Sequence, residues 1–119
     1  MSFFDKDTTR KRKSLLFKDQ SVFMDSKRRT TGTSRKSFFF PKETIYYDKE
    51  HKKVGYSRPS YLLPNETIYF DEHGKKIGKS RKSFFNNREE VYFDASGKKI
   101  GTSRESFFFK DEEVFRRKN

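Results

Sequence analysis

The chain has no cysteine and no tryptophan, and hydrophobic residues make up only 30% of its 119 positions. Without cysteine, disulfides and thiolate metal sites are excluded. The two histidines, His51 and His73, fall in predicted turns one repeat apart with no second ligand type recurring beside them, so no metal site and no cofactor is expected. The opening MSFFDKDTTRKRKS has no apolar run of signal-peptide length. No segment approaches the roughly 20 apolar residues of a membrane-spanning helix. A cytoplasmic location is the expectation.

With 39% charged residues, the composition approaches the regime where chains fail to fold. Two features point the other way. Aromatics reach 18%, mostly Phe, and each can bury a large apolar area. They also recur in register, which disordered segments seldom show. A thin fold with a limited core is therefore expected, of the size of one domain. The 29 Lys and Arg against 17 Asp and Glu leave a formal charge of +12. A small protein this basic usually meets something anionic.

Internal repetition dictates the architecture. TIYYDKEHKKVGYSRPSYLL from Thr44, TIYFDEHGKKIGKSRKSFFN from Thr67 and EVYFDASGKKIGTSRESFFF from Glu90 align without a gap, and SVFMDSKRRTTGTSRKSFFF from Ser21 fits the same register. Phe23, Tyr46, Tyr69, Tyr92 and Phe115 are each 23 residues apart. Chance does not produce this. Full units run over 21–43, 44–66, 67–89 and 90–111. A degenerate half-unit spans 1–20, a closing half-unit 112–115, and a basic tail 116–119. In the half-unit, SLLF at 14–17 matches SFFF at 106–109. The complementary ends permit a ring in which the last strand pairs with the first, since closure removes sheet edges.

Within a unit the grammar is that of a β-hairpin. ETIYFD alternates, with Ile68 and Phe70 on one side and Thr67, Tyr69 and Asp71 on the other, and reads as a strand. DEHGK matches an Asp-led turn with glycine at a positive φ. KIGKSR is the returning strand, with Gly78 weakening it or marking a bulge. A short third strand carrying the Phe cluster is an open option, and that cluster is expected to be core. Helix is not expected, because the apolar spacing is wrong and glycine interrupts each copy. The fold class is thus all-β, a twisted antiparallel array of tandem hairpins, either open or closed. An open array of five units would span about 50 Å at the usual strand spacing. It would leave its aromatic face half exposed, so closure, self-association or a partner must cover it.

YFDEHGKKIGKS at Tyr69 to Ser80 resembles an uncharacterised bacterial group of tandem repeats whose units read YD-x-x-G-x-x-x-G-x-S. More distantly, unit length and hairpin grammar resemble MORN-type repeats, although their tryptophan and most of their glycines are missing here. The resemblance covers Ser21 to Phe115. It implies scaffold and binding roles and carries over no catalytic residue.

Two basic columns are the candidate site. Arg12, Arg35, Arg58, Arg81 and Arg104 are equivalent positions, and a turn column holds Arg28, Arg29, Lys52, Lys53, Lys75, Lys76, Lys98 and Lys99. Guanidinium forks and nearby serine hydroxyls suit phosphate oxygens. The competing reading pairs each Arg with the Glu column, Glu43, Glu66, Glu89 and Glu112, across adjacent strands. The turn cations face no equivalent acidic column. The Asp column at Asp25, Asp48, Asp71 and Asp94 reads as turn caps. Catalysis needs unlike groups converging at one place; identical columns spread along an array do not supply that, and no enzyme is expected. The leading reading is a non-catalytic protein contacting nucleic-acid phosphates or a nucleic-acid-bearing complex. The alternative is a protein-interaction scaffold, or a small inhibitor docking on an acidic protein surface. Self-association is compatible with both, and a membrane partner is not expected.

Overall fold

Alternation of large and polar side chains, broken every few residues by a turn, folds the chain into strands of five to seven residues joined in strict up-and-down order. A computed structural model of the chain describes residues 8–14, 19–38, 40, 42–84, 88–106 and 111–117. The strands are β1 (Thr8–Lys13), β2 (Gln20–Asp25), β3 (Thr30–Lys36), β4 (Thr44–Asp48), β5 (Lys53–Pro59), β6 (Glu66–Asp71), β7 (Lys76–Lys82), β8 (Glu89–Asp94), β9 (Lys99–Glu105) and β10 (Glu112–Arg117). Each pairs antiparallel with its sequence neighbours, and β1 pairs with β10 through Arg10↔Val114, Lys11↔Glu113 and Arg12↔Glu112. The result is a closed ten-stranded barrel. Its Cα envelope of 34 × 33 × 24 Å leaves no room for an extended array.

Closure follows from the half-units. β10 and β1 are the two arms of a fifth hairpin whose connecting turn is replaced by a break in the chain. Arg117 occupies the column that holds the turn-capping aspartate in the other four copies. The four intact turns and this break lie at one end of the barrel, the turn end. The strand ends Lys13, Lys36, Pro59, Lys82 and Glu105 lie at the other, the loop end.

The lumen is filled by one ring from each copy. Phe23, Tyr46, Tyr69, Tyr92 and Phe115 point inward and touch in a closed circuit, with centroid separations of 6.1, 6.2, 6.3, 5.9 and 6.5 Å going round. A ten-stranded barrel is wider than the eight-stranded kind that aliphatic side chains can fill, so long flat rings are what reach the axis. The ladder slips once in each of the four hairpins that have a turn, for example from Tyr69↔Gly78 to Phe70↔Lys76, leaving Ile77 as an extra residue. This bulge lets Ile77, and Val54 in the preceding copy, pack on the aromatic ring from the turn end.

Close approach of the following strand explains the glycine column at Gly32 and Gly101. A Cβ on Gly101 would lie 2.5 Å from the Arg116 carbonyl oxygen, and one on Gly32 would lie 2.6 Å from that of Tyr47. Both neighbours are backbone and cannot swing aside. In the first half-unit Thr9 stands in this column, and there the register shifts so that Asp25 faces Thr8 instead.

On the loop-end side of the rings sits a layer of buried serines, Ser34, Ser57, Ser80 and Ser103. Tyr46 and Ser57 share a hydroxyl–hydroxyl bond of 2.9 Å, Tyr69 and Ser80 one of 3.0 Å, and Tyr92 and Ser103 one of 3.1 Å. Ser80 also donates to Glu90 at 2.7 Å. Glu90 is pushed up from its ordinary pKa by desolvation, against the pull of Ser80, with Glu113 adding repulsion and Lys82 and Lys11 opposing it. Desolvation likewise raises Tyr46 to about 12 and lifts Tyr69 well above the ordinary phenol range.

One open option is decided and one expectation is corrected here. No third strand lies between the hairpins among the described residues. The described members of the Phe cluster are not core: Phe38, Tyr61, Leu62 and Phe84 are 83–90% exposed. They follow the strand that carries the serine layer and so fall beyond the lumen, where no opposing sheet exists to cover them. Segments 15–17 and 107–109 of the same cluster lie outside the described residues.

Gly101→Ala should destabilise the barrel by about 1–3 kcal/mol in denaturant titration, as an overpacked site does. The raised phenols add a second expectation. Their neutral form is favoured by the fold, so the stability they contribute is intact below pH 10 and is lost as pH rises through 12. Ultraviolet titration should show Tyr46 and Tyr69 ionising only together with loss of near-ultraviolet circular dichroism; ionisation of all six tyrosines in a folded chain would contradict the packing.

Candidate nucleic-acid interface

Arg35, Arg58, Arg81 and Arg104 are carried on the strand after each turn, one residue beyond an inward serine, and so point outward near the loop end, whereas Arg12 follows Lys11 on β1. Cross-strand register does set glutamate opposite arginine, as Glu66↔Arg81, Glu89↔Arg104 and Arg12↔Glu112. Yet Arg35, Arg58 and Arg81 make no ion pair with these carboxylates. Their guanidinium groups lie between two aromatic rings instead. Arg35 sits 5.3 Å from the Phe38 ring centroid and 5.4 Å from that of Tyr47, whose hydroxyl accepts a 3.0 Å bond from its Nε. Arg58 lies 5.5 Å from Tyr61 and 4.7 Å from Phe70, and Arg81 lies 5.0 Å from both Phe84 and Phe93.

In each sandwich one ring comes from the following loop and the other from the outer face of the next strand. Guanidinium is flat and weakly hydrated, so it stacks on such faces more readily than it gives up water to form an exposed ion pair. In the last copy Arg116 takes the column of Tyr47, Phe70 and Phe93, so that second ring is missing beside Arg104. In the first, Arg12 faces Val22 and Glu112, and its buried Nε finds no acceptor. Glu112, almost fully buried, is held by Arg10 at 2.9 Å and by Arg28 at 3.3 Å.

The turn column is not beside the arginine column. It lies at the opposite end of the barrel, five strand residues away along β7 from Arg81 to Lys76, or about 17 Å at the usual rise. Two of its members are engaged, Arg28 with Glu112 and Arg29 with Asp25 at 2.8 Å. Lys52, Lys53, Lys75, Lys76, Lys98 and Lys99 are exposed and make no ion pair. Lys53 rests its ammonium 5.4 Å from the Tyr56 ring centroid. Lys27 and Lys49 in the same turns, with Arg116 and Arg117 at the break, add to this end. The sequence columns did not single them out, because the first two do not recur and the last two replace residues of another kind.

The acids at the turn end are largely committed. One carboxylate oxygen of Asp48 accepts from the backbone N–H of Glu50 and Lys52, and those of Asp25, Asp71 and Asp94 accept the equivalent pairs, all at 2.9–3.0 Å. The residue at the apex of each turn has positive φ: Arg28, His51, Gly74 and Gly97. Glycine is therefore used where it comes at least steric cost, but two copies bear a side chain there. The backbone bond from Arg29 holds Asp25 below its usual pKa, that from Lys75 does the same for Asp71, and the Ser96 hydroxyl does so for Asp94.

Comparison with family models, with curated proteins and with solved structures returned no match. What this surface does rests on its own geometry.

The depressed aspartates predict acid lability with a defined sign. The stability they contribute is present above the ordinary carboxylate value of 3.8 and is lost as pH falls further, through their lower folded values. Asp71→Asn with Asp94→Asn keeps an acceptor but removes the titration. The gap between melting temperatures at pH 7 and pH 2.5 should shrink in that variant, and an unchanged gap would assign acid sensitivity to other groups.

Proposed function

We propose that the protein is a non-catalytic barrel that binds nucleic acid through the phosphate backbone, using the cations of its turn end. One observation carries this reading. The turn lysines stand exposed and form no direct ion pair, and they outnumber the acids of their turns, Glu50 and Glu72 beside the aspartates that accept from their own backbones. A circle of mobile ammonium groups on a rigid rim suits a chain of phosphates, with contacts indifferent to base sequence. The arginine column has a lesser part, because its guanidinium faces are already stacked and only their edges remain to meet an oxygen.

A second reading draws on the exposed apolar residues of the loop end, which suit docking on another protein, including an acidic one. Capture of partners with and without nuclease separates the two: partners lost after nuclease favour phosphate binding, and partners retained favour protein docking.

If four or five phosphates are contacted, the logarithm of the affinity for a nucleic-acid oligomer should fall with the logarithm of salt concentration at a slope of roughly −3 to −4.5. Lys75→Glu, Lys76→Glu, Lys98→Glu and Lys99→Glu together should abolish measurable binding, whereas Arg81→Gln should weaken it no more than a few-fold. A flat salt dependence, or unchanged binding by the fourfold variant in fluorescence anisotropy, would refute the reading.

A further inference from the structure

The loop end leaves its largest apolar side chains in water. Phe38, Phe40, Tyr61, Leu62, Leu63 and Phe84 are between 54% and 90% exposed, on three successive loops of the same end. Together they offer on the order of 800 Å² of mostly apolar surface, well beyond the scattered single residues normal for a monomer. That is about what one partner contributes to a standard protein–protein interface.

We propose that this surface is closed by a second copy of the chain, loop end against loop end, in a two-fold dimer. Three observations select this occupant. The surface is made of projections and recesses of matching kind: between the loops 37–43 and 60–65 lies a groove of about 580 Å³, lined by Phe40, Arg58, Pro59 and Tyr61 among others. Beside it projects the Tyr61–Leu62 tip, 88% and 90% exposed. A two-fold contact is self-complementary, so one surface must present both tip and groove, as this one does.

The second observation is charge. At the loop end acids and bases interleave, and the exposed acids Asp19 and Asp111 are each paired, with Lys36 at 3.6 Å and Lys13 at 3.9 Å. Two such ends meet without the repulsion that the net +12 would otherwise impose, and the lysine-rich turn ends are carried outward, away from each other. An anionic membrane would instead draw the turn end toward itself, turning the apolar loops away from the lipid. The third is the arginine sandwiches. Arg35, Arg58 and Arg81 clamp the bases of the loops through Phe38, Tyr61 and Phe84, so the tips are held in place before contact rather than ordered by it.

Sedimentation velocity of the full chain, freed of nucleic acid and run from 1 to 100 µM, tests the proposal. The expected result is the mass of two chains at the upper concentrations. Leu62→Asp with Phe84→Asp should weaken the dimer at least 100-fold while leaving the melting temperature of the barrel, measured on the monomer, within a few degrees of wild type, because neither side chain enters the lumen. Lys75→Glu with Lys76→Glu should leave the dimer intact, so failure of the phosphate-binding reading and failure of this one are told apart. A wild-type chain that stays single at 100 µM overturns the proposal. So does a dimer indifferent to Leu62→Asp and Phe84→Asp, or a single chain that floats with vesicles containing phosphatidylserine through those same two residues.

Discussion

Contact between aromatic rings across the lumen is the constraint from which the rest of the structure follows. Each copy contributes one ring, and each ring touches two others, so none is buried until its neighbours on both sides are present. A lone hairpin has nothing to pack on and is not stable in water. The circuit therefore couples the five hairpins into one cooperative unit, although their hydrogen bonds run only between neighbours. It also sets the dielectric around the tyrosine hydroxyls, which is why serines from the returning strands must meet them and why their protons are held so tightly.

Much of this was legible in the residues because the repeat imposes the same local physics several times. Strand boundaries, the Asp-led turns, the positive φ of Gly74 and Gly97, and the bulge beside Gly78 could all be read from one copy and checked against the others. Closure was foreseeable from complementary half-units, but not dictated by them. Whether an array closes depends on strand tilt and side-chain reach, which only the assembled ring of Phe23 to Phe115 decides.

Other features were misread for physical reasons. Alternation shows which residues share a face, yet it does not say where the face ends. The Phe cluster was hydrophobic enough for a core but lies past the last ladder pair. Pairing of the Glu and Arg columns was left open beside phosphate binding, and register does face Glu66 with Arg81 and Glu89 with Arg104. The competing attraction of Phe38, Tyr61 and Phe84 for guanidinium is a matter of loops folding back on the wall, invisible to strand periodicity. The two basic columns, adjacent along the chain, end up at opposite ends because a β-strand travels in a straight line. In the reading proposed for the protein, this separation divides labour: phosphate contacts at one end, apolar contacts at the other.

A packed circuit of rings also sets the copy number. One more hairpin would lengthen the circumference by roughly 10 Å and open a hole at the axis that phenyl and phenol groups cannot span; one fewer would force them to overlap. Duplication or loss of a unit is thus not a neutral event for this lineage, unlike in open solenoids, where length drifts freely. Any change in the number of units must be matched by a change in the size of the residue facing the axis.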